Sequence, residues 1–401
     1  MSPVPASSRR RARVVTLIDG LDAGGAEKFA LLVAKRLDPE RFESTLSVSR
    51  WRPSTDLDSS TSRTLEQLAE SGVGFLPLGR QAKIDVWVWA RLERFLRRER
   101  VDILHAHKFG SNVWGTLMGR MARVPVIVAH EHSWSYEGQP LRRFLDRQLV
   151  ARGADRLVAI SREDQRRMVE VEHIDPACTL FIPIGLPTLP SVAGHDVRAE
   201  LGIEPGKPVI GAVALLRPQK AHDVLLRATA LLAREWPGVQ VLLVGEGPER
   251  QALERLTREL GVEQAVRFLG YRNDISDVLS ALDVAVCCSD FEGSPAAVLE
   301  YMDAALPVVA TAVGGVPDLI EPGVHGLLVP PRDPTALAGA IAEVLRDPER
   351  GRAMGASGRE RRHTEFGIDT FMHRLEDLYV ELLARREPDL ARGLAGSGRA
   401  R

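Results

Sequence analysis

Two carboxylates frame the segment Ser289-Asp-Phe-Glu-Gly-Ser-Pro-Ala-Ala-Val-Leu-Glu300, and the residues between Glu292 and Glu300 are of the kind that start a helix. Upstream, the apolar run over Asp283–Cys287 reads as a buried strand. Ser294 is expected to act as N-cap and Pro295 as first helical residue, with the helix running through Glu300 to about Ala305 and stopping before Pro307. Gly293, Ser294, Pro295 and Ala296 then present free amides, reinforced by the macrodipole, to an anion at the end of the strand. A diphosphate fits there. Glu300 lies roughly 7–8 Å along the helix from Pro295, at about 1.5 Å per residue, which matches the reach from a phosphate to its own ribose hydroxyls. Glu292, on the loop, faces the other end of such a ligand. The competing reading is that both acids only solvate a surface helix.

Two cations belong to the same rim. Ala212-Val-Ala-Leu-Leu-Arg-Pro-Gln-Lys-Ala-His222 sets Arg217 and Lys220 just past another strand, where they would neutralise a diphosphate leaving group; the alternative is a basic surface loop. Near the N-terminus, Leu17-Ile-Asp-Gly-Leu-Asp-Ala-Gly-Gly-Ala-Glu27 is a strand, a loop and a helix start, in which Gly24 and Gly25 permit close backbone approach to a phosphate. The stretch lacks both the G-x-G-x-x-G spacing and the P-loop lysine, so it is read as neither a nicotinamide nor an ATP motif. Val126-Ile-Val-Ala-His-Glu-His132 ends a strand with His130 and His132 in the same parity, both able to face one side while Glu131 faces the other. A second pair, His105 and His107, ends the run from Val101. A metal would need a third ligand beyond either pair, and the favoured expectation is one histidine on substrate with the rest packing or capping loops.

These residues need strand ends to hold them. Strand-like runs alternate with helical patterns along the whole chain: Val14–Ile18 and Ala26–Leu37, Ser44–Val48 and Thr64–Ser71, Val101–Ala106 and Ser111–Arg123, Val126–Ala129, then Arg156–Ile160 and Arg162–Val171. A second series has strands at Val209–Ala214, Val239–Val244, Val266–Leu269, Asp283–Cys287 and Val308–Ala310, separated by helices that include Pro295–Ala305 and Pro334–Arg346. Such alternation implies parallel sheets with helices on both faces, and ligand surfaces at the carboxyl ends of the strands. The expected fold class is α/β, with two Rossmann-like, doubly wound parallel-sheet domains facing across a cleft. They are placed at 1–186 and 187–369, joined through the Pro/Gly-rich stretch from Pro183. A helix at 370–386 is expected to pack back on the first domain, and 387–401, biased to Ala, Gly and Arg, to be a disordered tail like 1–10.

Composition bounds the function. The 401 residues are 44% apolar, ample for two or three cores, and 53 basic residues balance 54 acidic ones, which argues against a dedicated nucleic-acid binder. Three cysteines, two of them adjacent, give neither a disulfide framework nor a C-x-x-C metal spacing, and point to a reducing cytoplasmic setting. The apolar run after Arg13 is too short for a signal peptide, and nothing approaches the roughly 18 apolar residues of a membrane span. Trp87, Trp89, Leu92, Phe95 and Leu96 amid Arg91, Arg94, Arg97, Arg98 and Arg100 form a basic amphipathic segment, suited either to core packing or to peripheral contact with the inner face of a membrane.

Taken together, the motifs resemble those of the retaining nucleotide-sugar glycosyltransferases of family 4, which have the GT-B fold. The resemblance covers nearly the whole chain and rests on Glu292 to Glu300, Pro307-Val-Val-Ala310, Gly314-Gly-Val-Pro-Asp318, Gly24-Gly-Ala-Glu27, Asp102-Ile-Leu-His-Ala-His107, Arg217 to Lys220, Val244-Gly-Glu-Gly-Pro248 and Gly323-Val-His-Gly-Leu-Leu-Val329. It implies that Glu300 binds the donor ribose, Glu292 the donor sugar's hydroxyls, and Gly293 to Ala296 sugar and phosphate through their backbone. Arg217 and Lys220 would hold the diphosphate, with Gly24 and Gly25 closing over it. His132 aligns with the family's active-site histidine, His130 being the reserve, and its implied role is to orient the donor sugar. No metal and no cofactor besides the nucleoside-diphosphate sugar is implied; the acceptor is a hydroxyl of a glycan, a lipid-linked or a small molecule. Departures are Asp318 for the commoner Glu, Ile184-Gly185 for Asn-Gly, and one extra residue between Pro125 and His132. The alternatives are a nucleotide-sugar epimerase of the same architecture and a catalytically silent nucleotide-sugar-binding scaffold.

Overall fold

The computed structural model describes residues 10–21, 25–51, 68, 70–82, 85–132, 139–191 and 193–395. The chain divides into two compact units, Met1–Pro183 with Phe371–Arg401, and Ile184–Thr370. The helix expected over 64–71 lies largely outside the described residues, as do residues 1–9 and Gly24.

The first unit is built on β1 (Ala12–Ile18), β2 (Phe42–Val48), β3 (Gly74–Pro77), β4 (Ile103–His107), β5 (Val126–Glu131), β6 (Arg156–Ala159) and β7 (Thr179–Phe181). Every pairing is parallel, in the order β3-β2-β1-β4-β5-β6-β7. Chain order reverses between β1 and β4, and their side chains are buried on both faces, which is why these strands read as apolar runs rather than alternations. The basic amphipathic segment is the helix Trp87–Arg98: it buries Val88, Trp89, Leu92 and Leu96, and Trp89 stacks on Trp114 at 5.2 Å. Core packing claims that face, and Trp87 stands 80% exposed at the helix start. No described helix is long and apolar enough to cross a membrane.

The helix Ile368–Arg386 begins in the second unit and, from Phe371 on, belongs to the first. Phe371 meets Phe29 edge-on at 4.8 Å, Tyr379 meets Phe42 at 5.9 Å, and Glu376 accepts from the Asp38 amide at 2.9 Å and the Arg41 guanidinium at 2.8 Å. Residues 388–395 depart from the expected disorder. Pro388–Ala395 is a helix whose Ala391 and Leu394 are buried, because Pro388 supplies a first-turn start and these residues fall on one side of the helix. Residues 396–401 lie outside the described set.

The second unit carries β8 (Val209–Val213), β9 (Gln240–Val244), β10 (Val266–Gly270), β11 (Val284–Cys287), β12 (Val308–Thr311) and β13 (Gly326–Val329), all parallel, in the order β10-β9-β8-β11-β12-β13. Its switch point lies between β8 and β11. The stretch read as a linker is tied down within this unit: the buried Arg362 guanidinium donates to the carbonyls of Leu186 and Pro187 at 2.7 and 2.8 Å, and Leu186 bridges Gly367. Arg362 sits on the helix Pro348–Glu365, which no apolar period announces, because its buried side is Gly351, Met354, Gly355, Gly358 and Arg362. A Cβ on Gly355 would stand 2.0 Å from the Ala305 carbonyl oxygen, so the small residue is what lets this helix approach.

Candidate active site

Two loops meet beyond the adjacent strand ends of β8 and β11. The first runs from Arg217, extended, through the 3-10 turn Pro218–Lys220; the second is the stretch from Cys288 to Pro295. They are laced by backbone: the Asp290 amide donates to the Gln219 carbonyl and the Gln219 side-chain amide to the Phe291 carbonyl, both at 2.9 Å. Between them Lys220 Nζ donates to Glu292 Oε1 at 2.5 Å, and Ser289 Oγ donates to the same oxygen at 2.5 Å. Glu292 is only 8% exposed, so this pair is shielded enough for its charges to matter. Thr311 Oγ1 in turn donates to the Ser289 carbonyl at 2.6 Å, fixing the loop to β12.

The helix after the loop spans Ala296–Asp303, one residue later than the sequence suggests. Pro295, extended at φ −73° and ψ 112°, occupies the cap position, so the Ser294 side chain sits one residue too early to cap; its Oγ is buried without a hydrogen-bond partner. A buried hydroxyl beside a helix start is open to a ligand oxygen. Glu300 is half-buried on this helix, whose neighbour Tyr301 accepts from the Val213 amide at 2.7 Å and so anchors the helix to the end of β8.

Gly314 backs this arrangement. It adopts φ +52°, its would-be Cβ lies 1.7 Å from the Glu292 carbonyl oxygen, and the next amide, Gly315, donates to the Gly293 carbonyl at 2.8 Å. Gly314→Ala is expected to cost the second unit about 1–3 kcal/mol, from left-handed strain and the clash together, read as a lower urea midpoint at unchanged slope.

Lys220 and Glu292, expected on one rim, are in contact, with Gly293, Ser294, Pro295, Ala296 and Glu300 following on the same loop and helix. Arg217 lies exposed on the lysine's loop. Ser289 and Gly314 carry roles that the spacing of Glu292 and Glu300 does not reveal. Cys287 and Cys288 are inert: burial, and secondarily Glu292, pushes the Cys287 thiol up to about 11, and burial raises Cys288 as well. Burial, with nearby Lys220, holds His222 down to about 4.

In the first unit, Gly25 opens the helix Gly25–Arg36 and His132 follows β5. The parity reading holds: His105, His107, His130 and His132 lie together on one face of β4 and β5, while Glu131 on the other face accepts from Asn112 Nδ2 at 2.5 Å. His107 Nδ1 and His132 Nε2 are 3.0 Å apart, and Phe29 meets His132 edge-on. Burial is the main cause that holds all four imidazoles below their ordinary value, His130 at about 3, so they are neutral at pH 7. A neutral His132 is suited to hydrogen bonding rather than to acid catalysis. Asp19, just past β1, was not singled out by the sequence patterns; it gathers Ser49, Arg80 and Ser111 at 3.0, 3.3 and 3.1 Å, and its only sequence signal is an acid beside Gly20 at a strand end.

Residues 23–188 match the family described as Glycosyltransferase Family 4, and residues 195–361 the family described as Glycosyl transferases group 1. The D-inositol 3-phosphate glycosyltransferase of Thermobispora bispora is 32% identical over 319 residues, 74% of each chain. That of Nocardia farcinica is 32% identical over 294 residues, 67% of this chain and 65% of its own length, just under two thirds. A UDP-Gal:alpha-D-GlcNAc-diphosphoundecaprenol alpha-1,3-galactosyltransferase of Escherichia coli is 25% identical over 74% of this chain and 79% of its own. Among solved structures, Anabaena HepE in complex with UDP superposes with a TM-score of 0.79 at 23% identity, over 92% of this chain and 100% of that one, a likeness of fold.

Proposed function

Because the chain belongs to the nucleotide-sugar glycosyltransferases of GT-B fold, we propose that it is a retaining enzyme moving a sugar from a nucleoside diphosphate to a hydroxyl of a glycan, lipid-linked or small-molecule acceptor. The observation that carries this is the shielded Lys220–Glu292 contact at the β8/β11 switch point, where open α/β sheets take their ligands. Lys220 meets the diphosphate, Arg217 assists from the same loop, and Glu292 receives the donor sugar's hydroxyls beside them. The amides and the unpartnered Ser294 hydroxyl before Ala296 donate to phosphate oxygens, and Glu300 takes the ribose. To His132 of the first unit the family resemblance assigns the orienting of the sugar, and to Gly24 and Gly25 a role toward the diphosphate.

When the bond between the anomeric carbon and the phosphate oxygen breaks, negative charge collects on the departing diphosphate. Lys220, Arg217 and the amides stabilise it in place, without reorganisation. UDP in the Anabaena neighbour, and relatives named for transfer to inositol phosphate and to a diphosphoundecaprenol-linked sugar, support this donor and acceptor chemistry. Cytoplasmic work with peripheral membrane contact is part of the proposal: the helix Trp87–Arg98 keeps an outward Trp87 among arginines, the composition that sits at an anionic surface.

A thermal-shift screen of nucleoside diphosphates and their sugars tests the reading. A native-state ligand at 100 times its Kd adds about 2.7 kcal/mol of stability. At least one compound is expected to shift wild type, and Glu300→Ala to abolish that shift; an unchanged shift would place the ribose elsewhere. Release of free nucleoside diphosphate on turnover separates transfer from epimerisation, which returns the sugar nucleotide intact, and from a silent scaffold, which releases nothing.

A further inference from the structure

The four histidines of the first unit have more nitrogen than they have hydrogen-bond partners. His105 Nδ1 bonds the Tyr379 hydroxyl at 2.7 Å and its Nε2 meets His130 Nδ1 at 3.1 Å; His107 Nδ1 meets His132 Nε2 at 3.0 Å. That leaves His107 Nε2 and His130 Nε2 buried with no partner, in rings that are themselves fully buried. Orphaned nitrogens at such depth ask for a missing partner. One nitrogen from each of His105, His107 and His130 lies within 4.8 Å of the other two. We infer that these three residues bind a divalent transition-metal cation of the zinc class.

The chemistry of the donors fits. Imidazole suits zinc and its neighbours in the first transition row. Zinc–nitrogen bonds of about 2.0–2.1 Å in a tetrahedron put ligand atoms roughly 3.3 Å apart, so nitrogens that lie within 4.8 Å of one another close up on binding. His107 and His130 each have a buried Nε2 with no hydrogen-bond partner to offer. Outer hydrogen bonds of the kind that orient metal-ligating histidines are already in place, from Tyr379 on His105 and from His132 on His107. Phe29, packed edge-on against His107 and His130, walls the cluster from one side. Bound there, the cation would tie the carboxyl ends of β4 and β5 together. The third ligand that neither H-x-H pair supplies alone comes from register: His107 pairs with His130 across the two strands.

The test uses the full chain without a histidine tag, stripped with a chelator and then titrated with cobalt(II) or zinc(II). One equivalent per chain is expected, with the visible ligand-field bands of four-coordinate cobalt and a melting temperature that rises on metal addition and falls again with chelator. His107→Gln and His130→Gln are each expected to weaken uptake at least about tenfold, as loss of one ligand does. Should either variant misfold, zinc-edge X-ray absorption on wild type decides, three imidazoles per zinc being the expected result. No uptake by wild type at tenfold excess metal, uptake unaffected by both substitutions, or a shell dominated by oxygen would each overturn the site.

Discussion

Lys220→Ala is expected to lower turnover about 10²–10³-fold with donor saturating, the size of effect that follows loss of one preorganised contact to a developing anion. Lys220 ends a 3-10 turn whose geometry is set by Pro218, and Ala221, in left-handed conformation at φ 48°, turns the chain into the next helix. The ammonium is therefore delivered to one place, against Glu292, rather than ranging over the surface. Removing it would withdraw charge from the diphosphate that we propose it meets, and would leave Glu292 the Ser289 hydroxyl as a side-chain partner. Lys220→Arg keeps the charge but not the compact ammonium and should recover part of the loss. Steady-state kinetics at several donor concentrations, with thermal melts to confirm folding, provide the check; turnover of Lys220→Ala within about threefold of wild type would remove this residue from the mechanism.

The second large effect is on stability. Glu376→Ala is expected to destabilise the first unit by about 3–5 kcal/mol, the cost of breaking a buried ion pair by deleting one partner. Arg41 and Glu376 have side chains 8% and 7% exposed, and Glu376 also accepts the Asp38 amide, so truncation strands a guanidinium and a backbone N–H. With about 2–4 °C per kcal/mol for a unit of this size, the melting transition of the first unit should fall by roughly 6–20 °C. Glu376→Gln retains an acceptor and should cost less. A transition unmoved by Glu376→Ala would mean that the helix Ile368–Arg386 is held by its apolar face alone.

Much of this architecture is legible in the residue pattern, and the exceptions have physical causes. Buried parallel strands are contiguous apolar runs, so β1, β8, β9 and β12 fall within one or two residues of where apolarity places them. The helix Pro334–Arg346 starts at a proline preceded by Asp333, whose carboxylate caps the Thr335 and Ala336 amides. The helix Pro348–Glu365 hides because its inner side is glycine rather than leucine, and β13 because a four-residue strand between two turns has no period to read. At the site, residue types and strand-end positions suffice to pair Lys220 with Glu292. They do not foretell that Pro295 takes the cap from Ser294, since both residues are good helix starters and only the backbone decides between them. Nor can two H-x-H pairs some 25 residues apart declare that they share one face; that follows from the register of β4 with β5.

The discontinuity of the first unit bears on how the protein is made. The hydroxyl on His105, the ring against Phe29 and the carboxylate on Arg41 come from Tyr379, Phe371 and Glu376, which follow the second unit in the chain and so leave the ribosome after it. The second unit has its whole contiguous span of chain by Thr370 and can consolidate while its predecessor still waits, incomplete, for its closing helix. The residues up to Pro183 are thus translated before the second unit, while the unit they belong to is completed after it.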